Sequence, residues 1–116
     1  MSHFPPRELP PLPPPPRWGR VTEEGRTASV IRFETKEGTF SWPWHTLSRW
    51  QWTDGDTQRL IIHVSGGLVT VSGRRLDVLR DALDAGRLER VQLMPERAGA
   101  TIDAEPFIRE ITIAKQ

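Results

Sequence analysis

From residue 27 to residue 71 the chain is a succession of short apolar runs, each cut by a turn signal before it is long enough to form a helix. "ASVIRFET" is β-branched and aromatic and alternates Val30 and Arg32 with Ile31 and Phe33, and it ends at "KEG". "TFSW" follows and closes a hairpin, and Pro43 then removes a backbone donor, so it ends that strand or places it at an edge. "WHTL" reads as a tight turn, "SRWQWT" as a third strand and "DGDTQ" as a hairpin turn. "RLIIHVS" reads as a fourth strand with Leu60, Ile62 and Val64 on one face, Gly66-Gly67 as another turn and "LVTVS" as a fifth strand.

The period then changes. In "GRRLDVLRDALDAGR", Leu76, Leu79 and Leu83 recur at helical spacing. Ser72 or Gly73 is positioned to cap the start, Asp77 lies near the positive end of the helix dipole, and Gly86 suits the position just past the end. "LERVQLM" is a short sixth strand stopped by Pro95. "FIREITI" is a terminal strand with Phe107, Ile111 and Ile113 on one side. The expected fold is α+β: an antiparallel meander of about five strands covered by one amphipathic helix, with one or two C-terminal strands, as a roll or partly open barrel. Residues 1–26 are expected to be a disordered Pro-rich arm, 27–94 a single domain and 95–105 a loop. Residues 106–116 are expected to be a strand docking on its own or a neighbouring sheet.

The arm follows from composition. Eight of the eleven prolines lie in residues 1–20, where polyproline II has no internal hydrogen bonds and no core. A chain beginning near Arg26 is therefore expected to keep its stability. Within the arm, Arg7, Leu9, Pro10, Leu12 and Pro13 fit the Arg-x-Leu-Pro-x-Leu-Pro pattern of ligands for Src-homology-type proline-binding domains. Such matches also arise by chance in proline-dense tails.

The chain contains no cysteine, which excludes disulfides, zinc–thiolate sites and cysteine nucleophiles. A small secreted domain leans on disulfides, so a reducing, cytoplasmic setting is favoured. The N-terminus has no apolar core of a secretory signal, and no run approaches the length of a membrane span. Formal charge is +2 over residues 1–20, zero over 21–97 and −1 over 98–116. A nucleic-acid domain needs a net basic field, which the folded part lacks, although Arg74, Arg75 and Arg80 offer a local patch.

Pro43-Trp44, Leu47, Val69-Thr70-Val71 with Gly73-Arg74, and Leu76 with Leu79 together resemble the pattern of a small bacterial domain family of unknown function, over about residues 38–93. The resemblance implies a bacterial origin and supports the fold. It implies no activity.

Four of the five tryptophans, Trp42, Trp44, Trp50 and Trp52, fall within residues 40–52. One reading makes them a stacking platform or a groove for a proline ligand. The other makes them core and rim of a small sheet, each burying about 150–250 Å². Parity puts Trp42 with Phe40 and Trp50 with Trp52, and the expectation is split: one pair mostly core, the other partly exposed at an interface, with His45 beside Trp44. A metal site would need His45, His63 and Asp54 or Asp56 to converge, and no ligand spacing holds them together. Ser41, Ser48, Ser65 and Ser72 sit in no nucleophile-elbow context, and no glycine loop cradles a phosphate.

The sequence thus favours a small non-catalytic binding or assembly module acting through an aromatic-bearing sheet, without cofactor or metal and self-associating as a dimer. The alternatives are a metal-dependent enzyme or sensor built on His45, His63 and the Asp54/Asp56 turn, and a nucleic-acid-associated regulatory module.

Overall fold

A computed structural model describes residues 17–95 and 105–115. The strands are β1 (Gly19–Val21), β2 (Val30–Thr35), β3 (Gly38–Pro43), β4 (Arg49–Thr53), β5 (Gln58–Val64), β6 (Gly67–Arg74), β7 (Leu88–Gln92) and β8 (Phe107–Lys115). A 3-10 turn, Trp44–Thr46, joins β3 to β4, and the helix α1 spans Asp77–Asp84.

The runs expected as strands are strands, but they do not form one five-strand meander. They divide into two four-stranded sheets, ordered β1-β7-β2-β3 and β4-β5-β6-β8. The break falls at Pro43. Its missing N–H costs no ladder bond, because the register turns it to the open edge of β3, and the next residue, Trp44, donates its N–H to Ser29 O at 2.9 Å as a last rung before the 3-10 turn. The 3-10 turn then carries the chain into the second sheet, where β4, β5 and β6 do run as an antiparallel meander. Helix α1 is the return crossing. It delivers β7 back into the first sheet between β1 and β2, antiparallel to β1 and parallel to β2. Sequence alternation shows which face of a strand is apolar, not which strand lies beside it.

One core joins both sheets. Ile31 and Phe33 of β2 and Val91 of β7 meet Leu60, Ile62 and Val64 of β5, Val69 and Val71 of β6, and Ile108 of β8. Leu76, Leu79 and Leu83 close the core from the helix side, each fully buried. Neither Ser72 nor Gly73 caps α1, because β6 runs on through both of them. The helix begins after Leu76, whose N–H is accepted by Gln58 Oε1 at 2.8 Å. The other end is as expected. Gly86 takes φ +69°, its N–H is accepted by Leu83 O, and Arg87 N–H is accepted by Ala82 O, a Schellman arrangement that satisfies the last carbonyls.

Two further expectations need correction. Residues 17–26, assigned to the arm, are part of the fold. Trp18 is 6% exposed and belongs to the core, β1 pairs with β7, and Thr22 and Arg87 exchange backbone and side-chain hydrogen bonds. On β8, Ile108 rather than Phe107 points into the core. Ser72 pairs with Glu110 and Gly73 with Ile108, so Arg109 is an extra residue that shifts the alternation by one. β8 docks on β6 of its own chain. No helix among the described residues is long and apolar enough to cross a membrane.

Candidate functional site

The four clustered tryptophans all pack against the core as half-buried residues, so the expected split into a core pair and a partly exposed pair is absent, and each of the four keeps part of its surface exposed. Pairing sets their positions. Ile31 lies opposite Trp42 in the β2–β3 ladder and Phe33 opposite Phe40. Trp42 meets the edge of Phe33 with ring centroids 5.9 Å apart. Trp44 stands in the 3-10 turn and donates its Nε1–H to Leu88 O at 2.8 Å, which fastens the turn to the start of β7. Its ring meets Trp50 edge-on at 5.5 Å. A chain of contacts therefore runs from the first sheet through Trp44 to the second.

Trp50 and Trp52, two residues apart on β4, share a face and meet α1. Trp50 Nε1–H donates to Asp84 Oδ1 at 2.8 Å. The Arg80 guanidinium carbon lies 4.7 Å from the centre of the Trp52 ring, within cation–π range. Arg80 and Asp84 are one helical turn apart, which matches the two-residue step along a strand closely enough for both contacts. Trp52 Nε1–H also donates to Gln58 Oε1 at 3.4 Å, the oxygen that accepts Leu76 N–H. Gln58 thus ties β4, β5 and the helix start together. Nothing in its sequence context marked it for this role.

These contacts use the indole N–H groups of Trp44, Trp50 and Trp52 inside the molecule. A stacking or proline-binding platform needs such groups, or ring faces, turned to water. Val30, at 38% exposed, is the large hydrophobic residue that stands out on the surface among the described residues.

The other candidate residues are not brought together. His45 is exposed on the 3-10 turn, while His63 is half-buried on β5 opposite Arg49. Asp54 and Asp56 are exposed at the β4–β5 turn, and Asp54 Oδ1 accepts Gly55 N–H at 2.9 Å. Among the described residues no group of three or more His, Asp or Glu side chains is placed to hold a metal ion. Arg74, Arg75 and Arg80 do not form one basic surface: Arg74 lies over the Phe107 ring, Arg75 beside Asp77 at 3.5 Å, and Arg80 against Asp81 and Trp52. The proline-ligand residues Arg7, Leu9, Pro10, Leu12 and Pro13 lie outside the described residues.

No family model, curated protein or solved structure matches this chain. The resemblance over residues 38–93 therefore adds no family assignment, and function rests on the geometry alone.

Proposed function

We infer that the chain is a small cytoplasmic, non-catalytic assembly module that works through the open edge of its aromatic-bearing sheet, pairing there with a second copy of itself. The observation that supports this is β8. It is nine residues long, and among the described residues no strand pairs with its far side. Backbone polarity along it follows from register. The two-residue turn Ser65-Gly66 makes Val64 and Gly67 a hydrogen-bonded pair, so the backbone groups of Leu68, Thr70 and Ser72 turn away from β5 toward Ala114, Thr112 and Glu110. Those of Ile111 and Ile113 then face the open edge. Ile108, whose groups face the same way, already has them occupied: its carbonyl accepts Met94 N–H at 3.0 Å. Beyond it lies an unpaired template for another strand.

The tryptophan contacts support the reading in a second way. They brace β4 and the helix, so the sheet offers its edge without remodelling. The absence of cysteine fits a reducing compartment. Light scattering across a micromolar range tests the pairing. A mass near twice the 13.2 kDa of one chain is expected, with the Ile111 and Ile113 amides exchanging more slowly as concentration rises. A mass of one chain throughout the range overturns it.

A further inference from the structure

The outer face of the first sheet carries a row of three arginines. Arg20 of β1 lies directly opposite Arg90 of β7, and Arg90 directly beside Arg32 of β2. With strands about 4.8 Å apart, the row spans only about 10 Å. Like charges placed directly across strands destabilise a sheet, so this arrangement calls for a compensating charge.

The protein supplies part of it. The register of β1 and β7 skips from Arg20–Arg90 to Val21–Leu88, which leaves Glu89 as an extra residue. The bulge lets Glu89 join Arg90 on the outer face. There Glu89 Oε2 lies 3.2 Å from Arg20 Nε. Nearby, Arg26 Nε lies 4.0 Å from Glu23 Oε2. Arg32 and Arg90 are left over. Arg32 makes one long contact, 3.4 Å to the Ser41 hydroxyl. Arg90 Nε is shielded from water and has no hydrogen-bond partner. Among the described residues no carboxylate pairs with either guanidinium. The Nε itself is out of a ligand's reach, but Arg90 also lines a groove, where a bound oxyanion would meet its uncompensated charge.

The groove has a volume of about 470 Å³. Its four arginines, Arg20, Arg26, Arg32 and Arg90, stand against two glutamates, Glu23 and Glu89, and four minus two leaves +2. Val21 and Val30 also line it.

We propose that this groove is a binding site for a compact phosphomonoester, with Arg32 and Arg90 forking onto the phosphate and the valines of the groove receiving its organic body. Charge count selects the class. A phosphomonoester dianion neutralises the excess, whereas a carboxylate neutralises half of it. Guanidinium geometry suits a tetrahedral oxyanion, which takes two parallel N–H bonds from each fork. Volume agrees, since ligand pockets for small molecules run from about 300 to 1,000 Å³. A nucleic-acid backbone fits less well: the row crosses the strands for about 10 Å only, Glu23 and Glu89 interrupt it, and the fold beyond it carries no net positive charge. The site is on the opposite sheet from β8 and does not depend on self-association.

The test is a titration of the full-length, nitrogen-15-labelled chain with phenyl phosphate at pH about 8, where the phosphate is doubly ionised, followed by NMR. Saturable shifts are expected at the Arg32 and Arg90 Nε–H signals and at backbone amides of residues 21–30. Arg32→Gln is expected to weaken binding about tenfold or more, and Arg90→Lys, which keeps the charge but loses the fork, also to weaken it. Arg59→Gln, on the second sheet, should leave binding unchanged. Arg32 is exposed, so its variant retains the fold, which its amide spectrum verifies. No saturable shift up to about 10 mM overturns the proposal, as does wild-type affinity in Arg32→Gln. Tighter binding of an oligothymidylate than of phenyl phosphate, collapsing with salt, replaces it with a nucleic-acid site.

Discussion

The indole of Trp50 hydrogen-bonds Asp84 at 2.8 Å, linking β4 to the last turn of α1 across 34 residues of chain. Trp50, which sequence alone leaves open as part of a binding surface, thereby belongs to the clamp that holds the helix. Trp50→Phe keeps most of the ring and removes the donor, and it should cost about 1 kcal/mol. Asp84→Asn keeps an acceptor and should cost less. Chemical denaturation of both variants checks this: a Trp50→Phe variant as stable as the parent would mean that the hydrogen bond does not hold the helix, and an Asp84→Asn loss as large as that of Trp50→Phe would mean that the carboxylate charge, not merely an acceptor, is needed.

Leu79 sits at the middle of the same interface with no surface exposed. Leu79→Ala should cost about 2–5 kcal/mol, from lost apolar burial and from the cavity left behind. In a domain with total stability on the order of 5–15 kcal/mol, thermal melting will show the loss directly. A near-neutral result would place the helix on a different face.

How much of this was legible beforehand depends on the distance over which each feature is encoded. The helix stripe Leu76, Leu79, Leu83 and the alternation of β5 are local periodicities, and they appear where expected. The partition into two sheets is not local: β3 and β4 are neighbours in sequence, yet Pro43 and the Trp44 turn send them to different sheets. The arginine row was invisible for the same reason, because Arg20, Arg32 and Arg90 are scattered in sequence and become neighbours only through the register of three strands. Trp18 was missed because Arg17, Gly19 and Arg20 around it form no apolar pattern, and the proline run before it suggested a tail. The Phe107 face was misread because one extra residue, Arg109, inverts the alternation on that part of β8.

The second bulge makes its own prediction. At Gly73 the backbone of β8 comes so close that an added Cβ would collide with the Phe107 carbonyl. The obstacle is backbone, which cannot rotate away as a side chain would. Gly73→Ala should push β8 off the edge of β6 around Arg109 and lower stability by more than 1 kcal/mol, on the order of other overpacked cores. Amide exchange should quicken first at residues 107–110. If exchange there is unchanged while stability falls, the strain is being relieved within β6 instead.

Trp18 gives the most direct check on where the domain begins. Its side chain is the one tryptophan that is almost fully buried, at 6% exposed, and its carbonyl accepts Gln92 N–H at 2.7 Å. A chain starting at Thr27 loses this ring, the β1–β7 ladder and the Thr22–Arg87 hydrogen bonds together. It also leaves Val91 and Leu88 on an uncovered strand. Trp18→Ala alone should cost about 3–5 kcal/mol, and the shortened chain should lose more, melting well below the intact protein or failing to fold. A chain starting at Arg17 keeps every one of these contacts and serves as the reference. Equal melting of the chains starting at Arg17 and Thr27 would show that β1 adds nothing to the sheet, and would return the domain boundary to the position the sequence first suggested.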